Sequence, residues 1–344
     1  MNLPGNCGRL PARFLLPAAA FAACLVLSGC ASRGAASAEE YYSIGMAYFD
    51  MGKFEEAEKW LNRAMAKDKT KSASEYNLGR IAFETGRYSD AAKHFESILK
   101  RDPGNVLALK AAAYTRIKNG EIEKAAVHYE KLLTLVPESY DDGYNYALVL
   151  YAMEKYAEAE EILKKYEYAL MDNNDVLLLY ARAQKEQNKV EAIDSYAAWL
   201  ANNTDVKVRY EYAQLLEDRE MYARALEEYR AALNGISATA VDPSKADLRF
   251  AAARLLLVAD PENAEGIAEL SGAVSDGYDN FDEIEKLIGD ERIGAAKKDE
   301  IRAVITEGKR AAEAALAAAE FPEDVEEGDE MPDLEDITEG EAAQ

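Results

Sequence analysis

Apolar and small residues recur along this chain with a step of 34 residues. Glycine recurs at Gly52, Gly86 and Gly120. A large apolar residue recurs at Leu61, Phe95, Tyr129 and Leu163. Self-similarity at this period is typical of a stacked helix–turn–helix unit, because one such unit cannot bury its apolar face without neighbours. The pattern therefore predicts an all-α solenoid between Glu39 and about residue 239.

Six units follow from this period, at residues 38–71, 72–105, 106–139, 140–173, 174–205 and 206–239. A small residue such as Gly79 lets the two helices of a unit approach closely, and a turn glycine such as Gly86 ends the first helix in a left-handed conformation. Pro103 stops a second helix. The fourth unit has Glu154 at the turn position and the fifth has Asn188.

The pattern resembles the tetratricopeptide repeat, and the second unit carries it most fully, in Tyr76, Leu78-Gly79, Phe83, Gly86, Tyr88, Ala91, Phe95 and Pro103. The resemblance implies a right-handed superhelix. It also implies that the first helices of the units line a concave groove, which in this family commonly takes an extended peptide or a helix of a partner. The groove positions that it assigns in this chain are Tyr42, Met46, Phe49, Tyr76, Arg80, Phe83, Lys110, Tyr114, Tyr144, Tyr151 and Arg182.

This predicted groove is aromatic with a few cations, at Arg80, Lys110 and Arg182. Aromatic side chains in concave grooves are usual anchors of recognition, although a tyrosine at some of these positions is also the repeat's ordinary packing residue. Tyr42 and Met46 stand where the chaperone-binding members of the family would need Lys and Asn. The carboxylate clamp of that subfamily, and the chaperone partner it implies, are therefore not expected.

Beyond residue 239 the pattern loosens. Residues 240–319 are predicted to form a degenerate repeat and a helical cap, with helices over 246–259, 264–274, 281–288 and 299–319. Residues 320–344 contain twelve carboxylates and no Lys or Arg, so we expect a disordered acidic tail. Its segment 331–337 alternates acidic and apolar residues, which fits a recognition motif, a segment that folds back on the groove, or a solubilising tail, the interpretation we prefer.

The N-terminus predicts export and lipid attachment. Arg9 and Arg13 precede an uncharged, Leu- and Ala-rich run, so residues 1–29 have the pattern of a signal peptide. The run ends in Leu27-Ser28-Gly29-Cys30, which resembles the lipobox of bacterial lipoproteins. The resemblance implies a lipidated Cys30 (diacylglycerol and a fatty acyl group such as palmitate), a tether over residues 30–37, and an outer membrane location facing the periplasm. The alternative is an ordinary signal peptide cleaved nearby, with Cys30 incidental.

Composition and motif content limit the kinds of ligand and active site that this chain is expected to have. The net charge of −24 argues against long-range attraction to nucleic acid or to an anionic membrane. All three cysteines lie in the first 30 residues. His94 and His128 are 34 residues apart, which suggests either a shared metal or two solvent-facing positions, and the second is preferred because no ligand set surrounds them. No phosphate loop, nucleophile elbow or metalloprotease helix is present. We predict no catalytic residues, no metal and no cofactor.

The function expected from the sequence is a membrane-anchored scaffold that faces the periplasm and binds envelope proteins in its concave groove. The alternative is a structural subunit of a fixed envelope complex, of the outer-membrane assembly, secretion or pilus type. Such a subunit would contact its partners through the convex face or the cap. No nucleic acid and no small-molecule substrate are expected.

Overall fold

The computed structural model describes residues 36–68, 72–166, 173–237, 239–259 and 264–320. These residues contain sixteen helices and no β-strand, which confirms the all-α prediction. The lipobox with Cys30, the signal sequence and most of the acidic tail lie outside the described residues. The chain divides into two compact units, residues 1–202 and 203–344.

The described residues of unit 1 form ten helices, and each of these packs against the next one in this series. They are α1 Ala38–Asp50, α2 Phe54–Lys67, α3 Ser72–Glu84, α4 Tyr88–Arg101, α5 Val106–Lys118, α6 Ile122–Leu135, α7 Tyr140–Ala152, α8 Tyr156–Lys165, α9 Asn174–Glu186 and α10 Ala192–Leu200. The helices α4 and α6 both end two residues before a proline, as expected for a residue that cannot continue a helix.

In unit 2, six helices lie within the part of the chain that the structure describes. They are α11 Val206–Asp218, α12 Tyr222–Gly235, α13 Lys245–Ala259, α14 Ala264–Ser275, α15 Phe281–Gly289 and α16 Ala295–Glu320. Helix α16 begins four residues earlier than the sequence pattern suggested. The cap core is apolar and centres on buried residues such as Leu257, Leu270, Ile284 and Ile301. Phe250 stacks on Tyr278 with the ring centroids 4.2 Å apart, which ties α13 to the turn after α14.

One turn geometry recurs at the end of the first helix of a pair. At Gly86, the backbone N–H donates to the carbonyl of Phe83 at 3.0 Å, and the next N–H, of Arg87, donates to that of Ala82 at 2.7 Å. This pair of bonds satisfies helix C-terminal carbonyls and requires a left-handed residue, which here has φ +75°. The same conformation is found at the other turns of this kind, at Gly52, Gly120, Glu154, Asn188 and Glu220. The turn therefore forms even where glycine is missing.

Close approach of paired helices depends on small residues. A Cβ atom placed on Gly79 would lie 2.7 Å from Cε1 of Phe95, and one on Gly45 would lie 2.8 Å from Cγ of Leu61. Phe95 and Leu61 are both fully or almost fully buried. The second helix of each of these pairs thus packs its large apolar residue directly onto the backbone of the first, as the sequence pattern predicts.

Candidate partner-binding groove

Alternate helices of unit 1 form one large cavity. It has a volume of about 700 Å³ and is lined from α3, α5, α7 and the start of α9. We call it the α3–α5–α7 cavity. It brings together six of the predicted groove residues: Tyr76, Arg80, Phe83, Lys110, Tyr114 and Tyr144. The helical spacing explains this grouping, since residues four apart lie on one face of a helix and the 34-residue step repeats that face in the next unit.

Several aromatic side chains of the cavity make ring contacts. Phe83 lies 5.3 Å from Tyr114, centroid to centroid, and so bridges α3 and α5. Tyr76 lies 5.5 Å from Phe95, which is buried and forms part of the cavity floor. Tyr76, Phe83, Tyr114 and Tyr144 are half-buried. Each of these side chains is packed on one side and open on the other. They therefore offer a ligand a rigid aromatic surface, and they lose little conformational entropy when it binds.

The two cations of the cavity are placed differently. Arg80 donates from Nη1 to Oδ1 of Asn77 at 3.1 Å, and its guanidinium lies over the Phe49 ring at 4.5 Å. Lys110 forms an ion pair with Asp142, with Nζ to Oδ2 at 2.5 Å, and the Asp142 carboxylate is almost entirely buried. Because Lys110 neutralises a buried carboxylate, its charge is largely committed within the protein.

Three further carboxylates line the same cavity: Glu84, Asp141 and Asp175. None of them forms an ion pair within the described part of the chain. With Asp142, the cavity carries four carboxylates against two cations. The expectation of an aromatic surface with a few cations missed this acidic character. The sequence did contain a signal of these carboxylates. Acidic residues favour the first turn of a helix, and Asp141 and Asp175 lie in the first turns of α7 and α9.

A smaller cavity of about 340 Å³ lies at the α1 side of the first one. Its lining includes Tyr42 and Met46, together with Tyr76 and Arg80, which it shares with the α3–α5–α7 cavity. The Nδ2 group of Asn77 donates to Oη of Tyr42 at 3.2 Å, which joins α3 to α1.

Three predicted groove residues lie elsewhere. Phe49 packs on Phe54 at 5.7 Å and lies beneath Arg80. Tyr151 packs edge-on against Tyr156 at 5.1 Å. Arg182 is half-buried on α9. None of the three lines the two cavities described above.

His128 is not solvent-facing, contrary to the sequence interpretation, and His94 is half-buried. The His128 side chain is only 13% exposed, and its Nε2 lies 2.9 Å from Oε1 of Glu96, which also accepts from Nη2 of Arg116 at 3.1 Å. Burial lowers the pKa of His94 below its ordinary value. The described residues contain no group of three or more His, Cys, Asp or Glu side chains arranged to hold a metal ion. His128 of α6 thus contacts Glu96 of α4, a residue of the preceding helix pair.

Comparison with known proteins identifies the repeat. Family models of the tetratricopeptide repeat match residues 42–106 and 82–132, so this part of the chain contains such repeats. These repeats generally mediate protein–protein interaction and are typically not enzymatic. No curated protein matches the chain. Among the part of the chain that the structure describes, no helix has the length and apolarity to span a bilayer.

Solved structures are similar in fold. A tetratricopeptide repeat protein from Parabacteroides merdae ATCC 43184 is 24% identical, with a TM-score of 0.49, over 73% of this chain and 96% of that one. The Naa15/Naa10 complex bound to HypK-THB contains a chain 15% identical, with a TM-score of 0.50, over 83% of this chain and 42% of that one. At these identities, the similarity concerns the fold alone.

Proposed function

We propose that this chain, with tetratricopeptide repeats over residues 42–132, is a membrane-anchored scaffold of the bacterial cell envelope that binds an extended segment of a partner protein in the α3–α5–α7 cavity. The observation that carries the proposal is the cavity itself. Side chains from three successive first helices meet in one open space of about 700 Å³, and four of them are half-buried aromatic residues.

The periodic lining favours an extended occupant. Tyr76, Lys110 and Tyr144 are equivalent positions on α3, α5 and α7, so a bound segment that crosses the helices meets them in order. Neighbouring packed helices lie about 8–10 Å apart, and a fully extended chain advances about 3.3–3.6 Å per residue. A segment of a few residues therefore spans two successive positions.

The charges of the cavity indicate what this segment contains. Glu84, Asp141 and Asp175 are carboxylates without an ion pair in the described residues, and they stand beside tyrosine and phenylalanine rings. A Lys or Arg side chain would gain both a carboxylate partner and a cation–π contact there. We infer a partner segment with at least one basic residue next to apolar ones. The acidic residues 320–344 fit this site poorly, since like charges would meet.

The location rests on the N-terminal residues. Leu27-Ser28-Gly29-Cys30 has the pattern of a lipobox, and several acyl chains on one residue would hold a protein durably on a membrane. Ala31 and Ser32 follow Cys30 and favour the outer membrane. We propose that Cys30 carries lipid and that the repeats face the periplasm.

Photocrosslinking tests the cavity directly. A benzophenone amino acid replaces Tyr114 in the cavity or, as the matched control, Val127, which is 62% exposed on α6 and does not line it. In living cells we expect a defined adduct from position 114 and not from position 127. The captured protein is then purified and its affinity measured for the Phe83→Ala and Tyr114→Ala variants and for Val127→Ala.

The proposal predicts that the two cavity variants lose affinity at least about tenfold, as expected for aromatic anchors, while Val127→Ala binds normally. Circular dichroism monitors helicity in each variant. Adducts from position 127 alone, or full affinity in both cavity variants, would contradict cavity binding. That result would instead favour the structural subunit that uses its outer face.

A further inference from the structure

Beyond the cavity, the first helix pair carries a surface cluster of two aromatic rings and two cations. Tyr41 and Trp60 lie 5.7 Å apart, centroid to centroid. The Arg63 guanidinium lies 4.4 Å from the Trp60 ring centroid, and Nζ of Lys67 lies 5.5 Å from that of Tyr41. We call Tyr41, Trp60, Arg63 and Lys67 the aromatic–basic cluster. The rings are half-buried and the cations are exposed.

The cluster is separate from the apolar core of its helix pair. Ala57, Leu61 and Ala64 form the fully buried face of α2. Trp60, Arg63 and Lys67 follow the helical spacing i, i+3, i+7 on an adjacent face of α2. Exposed cation–π pairs contribute only about 0.5–1 kcal/mol to stability, so folding alone gives little reason for the arrangement.

The next repeat does not keep the cluster. Thirty-four residues later, Glu75, His94 and Ser97 stand in place of Tyr41, Trp60 and Arg63. There, Glu75 forms an ion pair with Arg101, which occupies the position of Lys67. The same helix pair is thus built with polar residues at these positions. The second pair therefore lacks both aromatic residues of the cluster.

The first helix pair is also the one that lies nearest to Cys30 in the sequence. Ser37, the N-cap of α1, lies seven positions after Cys30, and Tyr41 lies in the first turn of that helix. Seven residues reach at most about 25 Å when fully extended. If Cys30 carries lipid, as proposed above, the cluster cannot be far from the membrane surface.

We propose that the aromatic–basic cluster rests on the bilayer interface, with its cations on anionic phospholipid headgroups. Trp and Tyr prefer the headgroup region, and Lys and Arg near a membrane are attracted to anionic lipids. The overall charge of −24 does not prevent this contact, because charges more than about 10 Å away are screened at 0.1 M salt and the tether supplies proximity. This inference rests on the proposed anchor, and the contact would fix which way the repeats point.

A chemically tethered protein tests the contact without relying on lipidation in the cell. The chain from Cys30 onward contains every described residue and a single thiol, which couples to a maleimide phospholipid. The vesicles consist of phosphatidylcholine, with or without an equal part of phosphatidylglycerol, and carry brominated acyl chains that quench tryptophan. The other tryptophan, Trp199, is only 7% exposed and should contribute a constant background fluorescence. The Trp60→His variant contains Trp199 alone and therefore measures this background.

We expect quenching of Trp60 that requires phosphatidylglycerol and declines as salt is added. Each neutralised cation should lower the ratio of docked to undocked protein about fivefold, so Arg63→Ser and Lys67→Ser together should nearly abolish quenching. Arg63→Ser introduces the residue that the second repeat has at this position, which favours correct folding. A matched control is Lys93→Ser on the exposed face of α4.

No quenching of the tethered wild type would overturn the inference, as would equal quenching on phosphatidylcholine alone or in the double variant. Dimerisation that protects Trp60 on vesicles of either composition would overturn it too and assign the cluster to a second copy. None of these results bears on the proposed lipidation, which is tested by the fate of Cys30 in cells.

Discussion

The turn at Glu154 offers a quantitative test of how the repeat is built. Glu154 has φ +61° in the position that Gly52, Gly86 and Gly120 occupy in the first three pairs. Its N–H donates to the carbonyl of Tyr151 at 2.9 Å, and the N–H of Lys155 donates to that of Leu150 at 2.9 Å. These two bonds fix a left-handed conformation on a residue that has a Cβ atom, and this conformation is strained. Glu154→Gly should relieve the strain.

The expected gain can be estimated from two opposing effects. A left-handed conformation costs an L-residue about 1–2 kcal/mol. Glycine loses more conformational entropy on folding, which costs about 0.5–1 kcal/mol. We therefore expect Glu154→Gly to stabilise the chain by about 0.5–1 kcal/mol. Glu220→Gly, with φ +58°, should act similarly, whereas Asn188→Gly should gain less because asparagine tolerates this conformation.

Urea unfolding followed by circular dichroism measures the shift in midpoint. Repeat arrays need not unfold in one step, so hydrogen exchange of the Lys155 amide reports the local effect. The matched control is Glu161→Gly, the same substitution on the exposed face of α8, which should destabilise by about 1 kcal/mol. If Glu154→Gly lowered the midpoint as Glu161→Gly does, the turn would carry no strain and the reasoning would fail.

Three further predictions concern packing, protonation and anchoring. Gly79→Ala should destabilise the protein by about 1–3 kcal/mol, because the added Cβ would lie 2.7 Å from Phe95. The double variant that also carries Phe95→Leu should lose less stability than the sum of the two single variants. Thermal unfolding of the wild type, the two single variants and the double variant measures this coupling, and simple additivity would contradict it. Burial lowers the folded-state pKa of His94, so below about pH 6.5 the unfolded chain binds a proton that the folded chain does not. The free energy of unfolding should thus fall as the pH falls through this range, and it should fall less in the His94→Gln variant. Urea unfolding at several pH values measures this dependence, and equal pH dependence in the two proteins would contradict the prediction. Cys30→Ser should release the protein from membranes or leave its precursor uncleaved, as cell fractionation and mass determination can show, and an unchanged membrane fraction of processed protein would exclude lipid at this residue.

The architecture was readable from the sequence because it depends on local spacing. Close packing of Phe95 on Gly79, and the left-handed turn at Gly86, involve residues of one helix pair that the 34-residue step repeats. Such contacts are close in sequence, and their residue types are restricted by space and by φ. The pattern therefore predicted the helix pairs, and the family resemblance that it carries assigned six residues that line the α3–α5–α7 cavity.

The charges of the cavity were not readable in the same way. Asp142 is buried against Lys110, 32 residues earlier, and His128 lies against Glu96, also 32 residues earlier. Charged side chains are tolerated on most of a helix surface, so their types and spacing do not reveal which ones meet across neighbouring pairs. The sequence by itself determined the helices, their turns and the aromatic positions. Only the tertiary structure decided that carboxylates outnumber cations in the cavity, and that Tyr41 of α1 meets Trp60 and Lys67 of α2, because these arrangements depend on contacts between helices.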